Sequence, residues 1–201
     1  MLSRRPTDRE RLRQSARWLA HLTIAWNSVE CVVAVAAGIA AGSIALVGFG
    51  LDSLVEVFAG SVVLWRLRAE DEERERRALR LIAVSFFALA AYVVAESIRD
   101  VFIGAEADES AVGIGLAVAS LLVMPALAFA KRRTGRALGD RVVLADSKET
   151  LLCSYLSAVL LAGLLLARLG LWWADPLAAL VIAGLAVREG LEAWRGEECC
   201  N

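Results

Sequence analysis

The chain has 201 residues, 58% of them hydrophobic, a mean hydropathy of +0.58 and a formal net charge of −1 at pH 7. That is more apolar than an ordinary soluble domain, and the near-zero charge supplies no basic field for nucleic acid. Its four cysteines form no CxxC pair, which excludes a disulfide framework.

The N-terminal stretch "MLSRRPTDRERLRQSAR" is too charged for a secretory signal and reads as a basic cytoplasmic segment, residues 1–17. Six apolar stretches follow, each near the roughly 20 residues a helix needs to cross a bilayer. They cover 18–40, 43–65, 79–102, 111–130, 142–167 and 169–186. "AAGS" separates the first two, because one helix through both would far exceed the membrane thickness. The third carries Glu96, Arg99 and Asp100 in its second half, which read as a solvated helix end. The fourth has no charge. The fifth holds Asp146, Lys148 and Glu149 near its start, and the sixth has Asp175 and Pro176 in its first turns. The reading is an all-α membrane protein, with a six-helix transmembrane domain over 18–194 and a short cytoplasmic tail over 195–201.

The connections orient the helices. Arg4, Arg5, Arg9, Arg11, Arg13 and Arg17 precede the first stretch. Arg66, Arg68, Arg74, Arg76, Arg77 and Arg80 surround the second connection, and "KRRTGRALGDR", residues 131–141, forms the fourth. The remaining connections hold only Arg99 and Arg168. Basic residues thus alternate with the loops, as the positive-inside rule requires, and both termini are expected in the cytoplasm. "EDEERERR" has mixed signs and reads as a solvated loop or helix extension rather than a nucleic-acid patch. The expected surroundings are a lipid bilayer, with no nucleic-acid partner.

Within the second stretch, "GFGLDSLVEV" places Asp52 and Glu56 four apart, on one face of a helix. Acids inside a membrane face a bundle interior or a water-filled cavity, and two that repel each other need protons or a cation to neutralise them. The fifth stretch repeats the arrangement: in "ADSKETLLCSYLS", Glu149 and Cys153 are also four apart. If the two helices face each other, Asp52, Glu56, Glu149 and Cys153 supply three carboxylates and a thiolate. That donor set suits Zn²⁺ or Cd²⁺ better than Mg²⁺ or Ca²⁺. Asp146, one turn before Glu149, reads as a further ligand, an entry-funnel acid or a helix cap. On the first helix Asn27 and Cys31 share a face, with Glu30 beside them. Glu30 is a candidate ligand or proton carrier, or one end of an interhelical hydrogen bond. The alternative for the two acidic pairs is a structural role between helices, and for Cys153 a buried small residue. Lys148 reads as snorkelling or pairing with an acid, His21 as interfacial, and Glu197–Cys200 as a frayed tail.

"SIALVGFGLDSLVEVFAG" and "LADSKETLLCSYLSAVLLAGLL" resemble the second and fifth membrane helices of the cation diffusion facilitators, also called the cation efflux family. "WWADPLAALVIAGLAVREGLEAW" is similar to that family's sixth helix, including Asp175-Pro176, and Asn27 matches a polar position on its first. The family's members are six-helix, dimeric metal/proton antiporters with a metal-binding pair on each of the two helices. Asp52 and Glu56 fall on the first pair, Glu149 and Cys153 on the second. No His occupies these positions, and the family's usual cytoplasmic metal-binding domain has no counterpart before Asn201. The resemblance implies a homodimer joined through membrane helices and no enzymatic activity.

The expected function is export of a divalent transition metal from the cytoplasm in exchange for protons. Zn²⁺ is the first candidate, with Cd²⁺, Mn²⁺, Fe²⁺ and Co²⁺ as others; no resident cofactor is expected, and the expected location is a bacterial inner membrane. Two other classes stay open: a membrane metal sensor or accessory subunit that binds without transporting, and a structural membrane protein.

Overall fold

The computed structural model describes residues 6–68, 72–103, 110–171 and 173–195. Among them the chain is helical throughout, as α1 (Pro6–Ala41), α2 (Ile44–Arg66), α3 (Glu72–Ile103), α4 (Ala111–Leu138), α5 (Arg141–Arg168) and α6 (Ala174–Arg195). Long segments that are apolar on every side can satisfy their backbone in lipid only as helices or closed barrels. The first five helices are each long and apolar enough to cross a membrane. The sixth has 22 residues, or about 33 Å at 1.5 Å per residue. Its uncharged stretch is shorter, bounded by Asp175 at one end and by Arg188, Glu189, Glu192 and Arg195 towards the other.

Several boundaries differ from the sequence reading: α3 starts at Glu72 and α6 runs on to Arg195, and three further differences bear on the site. Helix α1 starts at Pro6, so most of the basic N-terminal segment is continuous with the first span. Helix α4 runs on to Leu138, so "KRRTGRA" is helix and not connection. It stops only at Gly139, whose φ of 67° lets its N–H close onto the Gly135 carbonyl at 2.8 Å. Helix α6 begins at Ala174 instead of residue 169, because the chain turns at 169–170, and Pro176 is suited to a first turn that needs no N–H. Arg4, Arg5 and Glu197–Cys200 lie outside the described residues, as do the side chains of Arg74, Asp100 and Arg168.

The closest-packed partners are α1 with α2, α4 with α5, and α3 with α6; α2 also touches α3, α5 and α6 and is the most enclosed of the spans. Phe49, Leu46, Ile82, Phe86, Met124, Leu156, Leu160 and Ile182 fill the interior. Trp18, Leu22, Val29, Val32 and Ile39 of α1, and Leu122 and Phe129 of α4, point outwards, as a lipid-facing surface would. Lipid gives helices no hydrophobic reason to associate, so close van der Waals packing has to do it. Gly50 and Gly38 show how close α1 and α2 approach. A Cβ on Gly50 would lie 2.8 Å from Val35 Cγ2 and 2.9 Å from the Val35 nitrogen, and one on Gly38 would lie 2.8 Å from the Val47 nitrogen.

Polar contacts pin both ends of the bundle. At one end Ser43 caps α2: its Oγ accepts from the Leu46 N–H at 3.1 Å. Asp175 of α6 reaches across to the same turn, accepting from Ser43 Oγ at 2.5 Å and from the Ala45 N–H at 3.1 Å. At the basic end, Arg17 donates to the Leu67 carbonyl at 3.5 Å, and the Arg80 guanidinium sits 5.9 Å from the Trp194 ring centroid.

Candidate functional site

The i, i+4 spacing turns Asp52 and Glu56 to one side of α2, and both are buried. Asn27 Nδ2 on α1 donates to Glu56 Oε2 at 2.6 Å. Glu56 Oε1 and Asn27 Oδ1 have no hydrogen-bond partner. One turn further along α1, buried Glu30 accepts from Ser53 Oγ at 2.9 Å, while Trp26 and Ser120 lie beside it. Its Oε1 is also without a partner. Cys31 is only partly buried.

On α5, Glu149 and Cys153 are buried, and this helix packs directly on α2. Glu149 Oε2 has no hydrogen-bond partner. Asp146 does not cap α5. Asp140 is the cap, its Oδ1 accepting from the Val142 and Val143 N–H groups at 3.0 and 3.2 Å. Asp146 is instead buried in an ion pair with Lys131 of α4, Nζ to Oδ2 at 2.8 Å. Lys131 is 1% exposed and also donates to Thr150 Oγ1 at 2.8 Å. The Thr150 hydroxyl in turn donates to the Asp146 carbonyl at 3.0 Å.

These groups share one electrostatic enclosure. Lys131, Asp52, Asp146 and Glu30 are the charged groups close enough to act on Glu56. Glu149 feels Asp146, Glu56, Lys131 and Asp52, and Cys153 feels Glu56, Glu30 and Asp52. Glu30, Asp52, Glu56, Asp146 and Glu149 are all buried, and the buried ammonium of Lys131 is paired with Asp146. An excess of carboxyls in low dielectric must be neutralised by protons or a cation. Among the described residues, no three His, Cys, Asp or Glu side chains are gathered tightly enough to hold a metal ion. Three of the acids are engaged elsewhere: Asn27 holds Glu56, Ser53 holds Glu30 and Lys131 holds Asp146. Coordination at about 2 Å needs side chains to turn away from these partners.

The sequence reading missed Lys131, which it placed in a basic loop, and the hydroxyls of Ser53, Ser120 and Thr150. The signal for Lys131 lay in the phase of α4. Gly113, Ala117, Ser120, Met124 and Ala128 form its buried stripe, and continuing that spacing lands on Lys131, while Arg132 and Arg133 fall on the exposed side. Glu189 of α6 was missed as well; it is buried, and its charge reaches Asp52. Lys148, read as snorkelling or pairing with an acid, acts on Glu189. His21 is exposed, and Arg99 pairs with Glu96 at 2.8 Å on the surface.

Comparison with known proteins agrees with this architecture. The chain is 22% identical over 194 residues to Transmembrane protein 163 of Xenopus laevis, an alignment spanning 94% of this chain and 69% of the relative. The family model for the cation efflux transmembrane domain matches residues 80–195, which include Lys131, Asp146, Glu149, Cys153 and Asp175. With more than half its length matched, the chain is an integral membrane protein that belongs to the cation efflux family, whose members are metal-cation transporters and not enzymes.

Proposed function

We propose that this chain exports a divalent transition metal from the cytoplasm in exchange for protons, with Zn²⁺ as the principal ion. Asp52, Glu56, Glu149 and Cys153 are the ligands. Glu30, Asn27 and Asp146 are the nearest additional ligands or proton carriers. The observation that carries this reading is the burial of two i, i+4 donor pairs on packed helices, with Glu56 Oε1 and Glu149 Oε2 both lacking hydrogen-bond partners. Unpartnered buried carboxyl oxygens are costly as structure and useful as ligands. Metal ligands must be deprotonated, so loading releases protons and proton return drives unloading on the other side. The protein works as a homodimer in a bacterial inner membrane, with both termini cytoplasmic.

The test is a metal panel in proteoliposomes with an imposed pH gradient. Zn²⁺, Cd²⁺, Mn²⁺, Fe²⁺ and Co²⁺ flux is measured for the wild type and for Asp52→Asn. The variant is expected to lose metal flux while retaining its helical spectrum and elution volume. Protons compete for the same oxygens, so metal binding must weaken as pH falls from 8 to 5. Binding without flux would identify a sensor or accessory subunit. Undiminished flux in Asp52→Asn, or binding indifferent to pH, would leave the acids structural.

A further inference from the structure

Lys131 is the least expected side chain in the protein. An ammonium 1% exposed inside a membrane-spanning bundle is costly unless its charge has a use. Asp146 and Thr150 hold it at 2.8 Å each. An ammonium has three donors, and these two contacts leave one over. The surroundings are unequal: Glu149, one turn along α5 from Asp146, has an oxygen without a hydrogen-bond partner.

We propose that Lys131 is a tethered counter-cation of the α2–α5 site. It pairs with Asp146 when no metal is there, so that of the two roles open to Asp146 it serves as a proton carrier and not as a ligand, and the site's affinity stays low enough to release a divalent cation. It is a positioning and specificity-determining residue that acts through the carboxylates and touches no metal itself. A carrier must bind its ion firmly enough to load and weakly enough to unload. Asp146 added to Asp52, Glu56 and Glu149 would otherwise hold a doubly charged ion too long. The proposal rests on the α2–α5 reading given above.

The test uses the full chain in detergent at fixed pH and ionic strength. Zn²⁺ binding is titrated for the wild type, Asp52→Asn, Lys131→Gln, Asp146→Asn and the double variant Lys131→Gln/Asp146→Asn, and Zn²⁺ flux is followed in liposomes. Lys131→Gln removes a like charge near the ion and frees Asp146. It should tighten binding by roughly tenfold or more, and slow turnover at saturating Zn²⁺. Structural damage alone does not raise affinity. Asp146→Asn leaves the ammonium uncompensated and should weaken binding by a similar factor, which adding Lys131→Gln should restore. That comparison decides the matter even if Lys131→Gln alone fails to fold. Unchanged or weaker Zn²⁺ affinity on adding Lys131→Gln, with Asp52→Asn abolishing binding, overturns this proposal and leaves the α2–α5 site standing. Wild-type affinity in Asp52→Asn overturns the site itself, and Lys131's role with it.

Discussion

Asp175→Ala tests whether the first turn of α2 is held from α6. The opening N–H groups of a helix have no partners within it. In α2 the Leu46 N–H is met by Ser43 Oγ, and the Ala45 N–H by Asp175 Oδ2 at 3.1 Å; Asp175 Oδ1 also accepts the Ser43 hydroxyl at 2.5 Å. Alanine removes two hydrogen bonds to a carboxylate, each worth about 1.5–3 kcal/mol in soluble proteins. It also removes a negative charge from the positive end of α2, about 0.3–1 kcal/mol more. Polar contacts in membranes measure lower, because the inserted but unpacked helices find other partners. The expected loss is therefore about 2–4 kcal/mol. Ser43→Ala loses the helix cap and one bond to Asp175, about 2 kcal/mol. Both variants delete the same hydroxyl–carboxylate bond, so the double should be less destabilised than the sum by about 1–2 kcal/mol. Reversible unfolding in mixed micelles, followed by tryptophan fluorescence, supplies all four corners of the cycle. A loss below about 0.5 kcal/mol for Asp175→Ala, or strict additivity, would refute the clamp.

Gly50→Ala should cost about 1–3 kcal/mol by forcing α1 from α2, whereas Gly115→Ala, with nothing within 4 Å of the new Cβ, should be neutral or slightly stabilising in the same unfolding assay. Cys153→Ser should weaken Cd²⁺ binding more than Mn²⁺ binding, since a thiolate favours the softer ion; equal losses in a two-metal titration would remove Cys153 from the ligand set. A cysteine at Ala137 should react with impermeant maleimide only from the cytoplasmic side, and labelling from outside alone would invert the topology.

The architecture was legible because lipid leaves the chain few choices. Six apolar blocks of membrane-spanning length point to helices, and the first five blocks fall on α1 to α5, although α1, α3 and α4 run well beyond them. Asp52 and Glu56 stood out for the same reason, as charges inside an apolar run. What stayed hidden depended on long-range geometry. Nothing local links Ser43 to Asp175, 132 positions away. Lys131 was masked by Arg132 and Arg133, which made it look like part of a solvated loop. A helix cap was one of three roles open to Asp146, beside ligand and entry-funnel acid, and Asp140 fills it instead. The start of α6 was misplaced because apolar Leu169 and Leu171 continue the hydropathy of the helix while the backbone has already turned.

The tight seating of α1 against α2, with Gly38 and Gly50 admitting Val47 and Val35, makes those two helices a single stiff plank; α4 and α5, joined by the buried Lys131–Asp146 pair, form another. Asp52 and Glu56 ride on the first plank, Glu149 and Cys153 on the second, and the seam between the planks is thinner than the packing within either. Helices seated this closely resist deformation, so a shape change concentrates at that seam. A slide of one helical turn there, about 5.4 Å, would shear one pair of donors past the other without breaking a backbone hydrogen bond. Under the proposed function, an ion held between the two pairs would be released by their misalignment, and no helix would have to unwind.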